Sequence, residues 1–239
     1  MKFSLCIPMY NESSIIEATA KTLSAYMETH FEDYEILFSN DGSTDRSAEL
    51  VKALALPRVR VVGYEKNRGK GAAVREAVLA STGDVVMFTD ADLAYGTEVI
   101  SRVAKVFLAD PEVDAVIGSR NISKDGYEGY TLVRKMASKA YIKLLCLAGG
   151  LTLSDSQCGC KAFRGELAKK IFSHCEVDGF AFDFEAIMIG TRLGARFFEL
   201  PVKVINHRES KVHVLSDAFQ MMGDLRKMKK RVSKMDLKG

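Results

Sequence analysis

The sequence predicts a single α/β domain, with a mostly parallel central sheet and helices on both faces. Three observations carry that prediction. Strand-like and helix-like runs alternate over the first ~120 residues, the rhythm of strands joined by helical crossovers. The run Val85-Val86-Met87-Phe88 has no charge, as expected of a strand covered on both faces. No segment rich in Pro, Gly or Ser interrupts the 239 residues, so nothing marks a boundary between independent domains.

The elements follow in order. Residues 2–8 read as a short buried strand stopped by Pro8. Ile15, Ile16, Thr19, Leu23, Tyr26 and Met27 recur at helical spacing, which predicts a helix over 12–28. Residues 34–39 form a second strand, and Asp41-Gly42-Ser43 a turn. Ser43 or Thr44 is placed to cap a helix running to about Leu54. A strand over 59–63, a helix over 70–80, a strand over 85–89, a helix over 97–108 and a strand over 115–118 complete the alternation. The rhythm then breaks. A polar loop spans 119–130 and an apolar helix 131–148, followed by a strand-like stretch at 157–163. Helices near 165–173 and 182–193 and a strand over 197–204 come next, with Pro201 limiting that strand's pairing. A long helix over 214–235 closes the chain. The predicted organisation is one domain over 1–214, with halves 1–119 and 120–214, and a basic amphipathic helix over 215–239.

Composition narrows the class. At 47% hydrophobic and 27% charged residues the chain is neither disordered nor collagen-like. The longest nearly uncharged run, Leu144 to Leu153, is half of the ~20 residues a spanning helix needs. The N-terminus lacks the pattern of a secretory signal, and five cysteines fit reduced thiols, so a cytoplasmic location is expected. The net charge of +3 is unevenly spread: Arg226 to Gly239 holds seven Lys or Arg and one acid, leaving an acidic body. The tail lacks interleaved aromatics, which argues against nucleic acid. Its apolar positions Leu215, Ala218, Met222, Leu225, Met228, Val232 and Met235 suit packing on the domain or lying on an anionic membrane. The Leu144 to Leu153 stretch is a second candidate for lipid contact.

Three segments carry chemistry. Asp90-Ala91-Asp92 follows the fourth strand, and residues two apart on an extended chain face one side. Two carboxylates so close repel unless a cation lies between them, and Mg²⁺ prefers one or two carboxylates plus substrate phosphates. The spacing does not fit a calcium loop, since Ala94 and Tyr95 stand where oxygen ligands belong. Asp41 ends the second strand in the same way, as a helix cap or as an acceptor for a base or ribose. Lys66-Asn67-Arg68-Gly69-Lys70-Gly71 joins three cations to the free N–H groups of a helix start, an anion site. Its two glycines do not make a dinucleotide fingerprint, because the third is missing and this is not the first strand–helix turn. Cys158-x-Cys160 is half of a zinc site without a partner pair.

Pro8-x-Tyr10-Asn11-Glu12, Asn40-Asp41-Gly42-Ser43-Thr44-Asp45, Asn67-Arg68-Gly69-Lys70-Gly71 and Asp90-Ala91-Asp92 together resemble the family 2 glycosyltransferases of GT-A fold. Asp155-Ser156-Gln157-Cys158-Gly159-Cys160-Lys161-Ala162-Phe163 looks like the dolichyl-phosphate glucose and mannose synthase branch. The resemblance runs from about Ser4 to about Arg226. It implies that Pro8, Tyr10, Glu12 and Asp41 hold the nucleoside and that Arg68 and Lys70 lie near the donor phosphates. It implies that Asp90 and Asp92 bind Mg²⁺ or Mn²⁺ through the diphosphate. Gln157 would face the sugar and acceptor. Arg120 and the His207-Arg208-x-Ser210-Lys211 segment would meet the acceptor phosphate. The sequence departs from the family pattern at Asn40, Leu93, Gly96 and Cys160, and none of these removes a charge the chemistry needs.

The expected reaction is transfer of a hexose, with UDP-glucose the favoured donor, to a polyprenyl phosphate at a membrane surface. Inversion at the anomeric carbon is expected by family analogy. An anionic acceptor needs a cationic cradle rather than a base; Arg120, Arg134, Arg208 and Lys211 are the candidates. A sugar hydroxyl acceptor would need a base, for which Asp155 stands first, with Asp183 and Glu185 behind it. GDP-mannose as donor, a glycan hydroxyl as acceptor, and an inactive nucleotide-sugar binder are the alternatives. The sequence leaves the oligomeric state open.

Overall fold

The structure, a computed structural model, describes residues 1–128, 135–136, 139, 142–143, 146–147, 150–206, 225 and 227–236. The expected alternation is present: β1 (Phe3–Met9), α1 (Ile16–His30), β2 (Tyr34–Asp41), α2 (Ser47–Ala53), β3 (Val59–Tyr64), α3 (Lys70–Ala80), β4 (Val85–Phe88), α4 (Glu98–Ala109) and β5 (Ala115–Ser119). After the break come β6 (Lys161–Arg164), α5 (Gly165–His174), α6 (Phe182–Arg192) and β7 (Phe197–Pro201). The described residues between 135 and 147 are helical, with Ile142 and Cys146 buried.

Among the described residues the strands form one seven-stranded sheet in the order β3-β2-β1-β4-β6-β5-β7. Of these strands only β6 runs against its neighbours, β4 and β5; the other pairings are parallel. Side chains alternate between two cores with the period of two that a strand imposes. Phe3, Leu5, Ile7, Ile36, Phe38, Val85 and Met87 pack against α1, α2 and α4 through Ile16, Leu23, Val51, Val103 and Phe107. Cys6, Leu37, Val86, Phe88 and Phe163 pack on the other face against Val74, Ala77, Ile171, Phe172, Phe184 and Ile187. Leu225, Met228 and Val232 are buried in this second core, so the described part of the tail turns its apolar positions toward the domain.

Two local expectations are corrected. Pro8 does not stop β1, which continues to Met9. The Lys2 and Cys6 carbonyls face β4, so Pro8 faces that side too, and the β1–β4 ladder ends at Cys6 opposite Phe88. The ladder with β4 thus ends where Pro8 has no N–H to donate, and β1 continues to Met9 against β2 alone. Neither Ser43 nor Thr44 caps α2, which starts only at Ser47; Asp45 Oδ1 accepts the Ser47 N–H at 2.9 Å instead. Pro201 ends the edge strand β7.

Because six strands share one direction, the turns after β1, β2, β3, β4 and β5 gather at one edge. In such sheets that edge is where ligands bind. The reversed β6 brings the residues before it, 155–160, to the same edge.

Candidate active site

The first two turns lock together. Asn11 adopts φ 52°, and its Oδ1 accepts the Thr44 N–H at 2.8 Å and the Asp45 N–H at 3.3 Å. The Asn11, Glu12 and Ser13 N–H groups donate in turn to Ser43 Oγ, Ser47 Oγ and Asp45 Oδ2. Asn11 and Asp45 carry this joint, a role that side-chain chemistry in the sequence did not reveal. It leaves Tyr10 exposed at the edge of the site.

Asp41 is buried and organises the next loop. Its carboxylate accepts the Tyr64 hydroxyl at 2.7 Å, Asn67 Nδ2 at 2.9 Å, and the N–H groups of Arg68 and Gly69 at 2.9 and 3.0 Å. Burial and the Asp41 charge hold the Tyr64 phenol protonated well above its usual range. The Arg68 guanidinium lies over the Tyr64 ring, 5.0 Å from its centre. The free helix N–H groups expected here are not free. Those of Gly71 and Ala72 donate to the Asp178 carbonyl at 2.7 and 3.2 Å. Gly69 and Gly71 are required by that approach: a Cβ on either would come within 2.5 and 2.4 Å of a carbonyl oxygen, of Asp178 and Val177 respectively. The α3 start still offers an anion the side chains of Arg68 and Lys70.

Lys70, Asp90 and Asp92 converge. Lys70 Nζ lies 2.5 Å from Asp90 Oδ1. Burial opposes the Lys70 charge, but Asp90, Asp183 and Asp92 outweigh it and raise its pKa. Burial first, then repulsion from Asp90, raises the Asp92 carboxyl; the Ala94 N–H, 3.0 Å from its Oδ1, only partly offsets this. Glu12 is near enough to add to the repulsion. Gly159 lets Asp90 press against the 158–160 backbone, where a Cβ would meet Asp90 Oδ2 at 2.3 Å. Asn206 Nδ2 donates to the Asp92 carbonyl at 3.0 Å, drawing the chain after β7 onto this loop. Among the described residues no group of three His, Cys, Asp or Glu is assembled for a metal. Two carboxylates sharing one lysine nevertheless fit a hard divalent cation that takes its other ligands from phosphate and water.

The charges around residues 155–161 are balanced instead. Asp155 is wholly buried and fork-bonded to Arg120, with Nε–Oδ2 2.7 Å and Nη2–Oδ1 3.0 Å. Its oxygens also take the Arg120 and Gln157 N–H groups at 3.1 and 3.2 Å. Burial opposes the Arg120 charge, and Asp155 restores it and more. Gln157 Nε2 is buried with no hydrogen-bond partner, a donor for a bound group. Asp183 is tied to the fully buried Lys161 at 2.8 Å. Lys161 Nζ also donates to the Cys158 carbonyl at 2.5 Å, a role not read from the sequence. The buried Glu185 pairs with Arg231. Thus all three expected bases are held by cations. Burial pushes the Cys158 thiol up to about 11 and raises the Cys160 thiol as well, which leaves both as neutral core groups. Arg134, His207, Arg208 and Lys211 lie outside the described residues.

The architecture is that of solved glycosyltransferases. Glucosyl-3-phosphoglycerate synthase from Mycobacterium tuberculosis, solved with Mn²⁺, UDP and phosphoglyceric acid, superposes with a TM-score of 0.70 at 20% identity. The match covers 98% of this chain and 79% of that one. The fold is the GT-A fold. Residues 4–172 match the family described as Glycosyl transferase family 2, and the chain belongs to that family. It is 31% identical over 230 residues to the dolichyl-phosphate beta-glucosyltransferase ALG5C of Trichomonas vaginalis, covering 92% of this chain and 68% of that protein. It is 27% identical over 244 residues to the dolichyl-phosphate beta-glucosyltransferase of Saccharomyces cerevisiae, covering 93% and 72%.

Proposed function

We propose that this protein transfers glucose from UDP-glucose to a polyprenyl phosphate, with inversion, at a site completed by Mg²⁺ or Mn²⁺. The observation that carries this reading is the state of the candidate bases. Asp155, Asp183 and Glu185 are each paired with a cation, so none is placed to take a proton from a hydroxyl. A phosphate monoester needs no such group, because it arrives as an anion. The named relatives act on dolichyl phosphate, and the structural neighbour binds UDP and Mn²⁺, which agrees with the reading.

In the proposed reaction a phosphate oxygen forms the bond to the anomeric carbon. The carbon–oxygen bond to the diphosphate breaks, UDP leaves with the electron pair, and no proton moves. Asp90 and Asp92 would hold the divalent cation, which supplies charge neutralisation on the leaving diphosphate. Lys70 and Arg68 add cations on the same side. Tyr10, with Pro8 and Glu12 beside it, would flank the nucleoside; Asp41 acts on it through the loop it fixes. Arg120, oriented by Asp155, and Gln157 Nε2 would meet the acceptor. Arg134, Arg208 and Lys211 are proposed to complete the acceptor cradle. Among the described residues no helix is long and apolar enough to cross a membrane. We place the enzyme peripherally, on the cytoplasmic face where a lipid acceptor is met.

The test supplies the purified chain with polyprenyl phosphate, Mn²⁺ and radiolabelled UDP-glucose or GDP-mannose in separate tubes. Label from UDP-glucose is expected in the organic phase, on a β-anomer by proton NMR coupling. Label from GDP-mannose alone would replace the donor. Label retained in a water-soluble glycan would replace the acceptor.

A further inference from the structure

The helix at residues 227–234 exposes Lys227, Lys229, Lys230 and Lys234, but Arg231 turns inward. Its guanidinium pairs with Glu185 in the first turn of α6 and with Glu176 at 3.0 Å, and it donates to the His174 carbonyl at 3.2 Å. Arg192, at the far end of α6, bonds the Val232 carbonyl and seats the same helix. Glu185 is wholly buried. Its other oxygen, Oε2, accepts the N–H groups of Glu176 and Val177, both at 2.9 Å. The next residue is Asp178. Its carbonyl takes the first-turn N–H groups of α3, and its carboxylate pairs with Arg75 and, at 3.6 Å, with Arg68. An unbroken line of contacts thus runs from Arg231 through Glu185 and the 176–178 backbone to Arg68 and the turn that carries Lys70.

We infer that Arg231 is a positioning residue for the donor diphosphate: by neutralising buried Glu185 it fixes the 176–178 backbone, which sets the start of α3 and Arg68. A buried carboxylate stripped of its cation must draw in water or a proton, and either disturbs the two N–H bonds it accepts. The tail then serves the donor site directly, whatever its exposed lysines do at a membrane. This inference rests on the reading of Arg68 and Lys70 as donor contacts.

Calorimetric titration of the full chain with UDP and Mn²⁺ separates the two ideas, with the thermal midpoint followed in parallel. Lys70→Ala reports on the donor reading: if it leaves UDP affinity unchanged, that reading and this inference fall together. Given a weakened Lys70→Ala, Arg231→Met is expected to weaken UDP binding roughly tenfold. The pair R231M/E185Q is expected to recover most of that loss, because the neutral amide oxygen still accepts both N–H groups. An Arg231→Met chain that loses thermal stability yet binds UDP like the parent would overturn the inference and leave Arg231 a fold-stabilising residue only. A double variant no better than the single would overturn it too. Should Arg231→Met not fold, Arg231→Gln, which keeps a polar side chain but removes the charge that neutralises Glu185, carries the test, and parental UDP affinity would again overturn it.

Discussion

Asp41 and Asp155 are both buried aspartates at the same sheet edge, but they are satisfied in different ways. Asp41 is caged by a hydroxyl, an amide and two backbone N–H groups, all neutral. Asp155 faces the guanidinium of Arg120. Between them lie Asp90 and Asp92, two carboxylates sharing one lysine. The donor side therefore keeps unbalanced negative charge, which suits a metal and a diphosphate. Arg120 and Asp155 balance each other, so the cationic cradle proposed for a charged acceptor falls to Arg134, Arg208 and Lys211, outside the described residues. Under the proposed function, that contrast is what would let two anionic substrates be aligned without a protein base.

The largest effect should come from the unbalanced pair. Asp92→Ala is expected to lower lipid glycosylation by ~10³-fold, comparable to removing a preorganised electrostatic group. Its thermal midpoint should not fall, because the lost carboxylate was already disfavoured by burial and by Asp90. A large drop in stability would break the contrast. Asp155→Asn should show the opposite balance. It leaves Arg120 buried without a counter-charge, and urea unfolding should reveal a loss of about 3–5 kcal/mol. Asp41→Asn should cost less, about 1–3 kcal/mol, since only neutral donors lose an acceptor. Faster amide exchange at Arg68 and Gly69 should mark the loosened loop. Equal losses at Asp41 and Asp155 would contradict the distinction.

The smallest effect is confined to acid and lies at the opposite edge. Burial alone would raise the Glu35 carboxyl, but the Ser4 hydroxyl, Thr82 and Arg60 bring it down to about 2. A lowered carboxyl stabilises the fold fully above its unfolded value of about 4.5, and the contribution is lost as pH falls toward 2. Glu35→Gln should flatten the stability profile across that window and leave neutral-pH transfer unchanged.

Much of the donor half was legible because its signals are local. Helix α3 occupies the predicted 70–80, and the chemistry-bearing turns fall where strand-to-helix switches in hydrophobic period place them. Local signals could not show that β6 is reversed, since strand direction is not written in a period of two. Nor could they show that Asp178 fills the α3 start, more than a hundred residues away in the chain. The same distance problem hid the pairing of Arg120 with Asp155: the sequence offered one as a cation for the acceptor and the other as a base. Only the fold shows that each is the other's partner.

The acceptor is proposed to arrive charged, and two acceptors that differ only in that charge separate the proposal from its rival. Initial rates of glucose transfer from UDP-glucose would be measured to a polyprenyl phosphate and to the same polyprenol bearing a free hydroxyl, with Mn²⁺ present. Transfer to the phosphate and none to the alcohol is expected. Comparable rates with the alcohol would mean that a base is at work in this site and would overturn the proposed function.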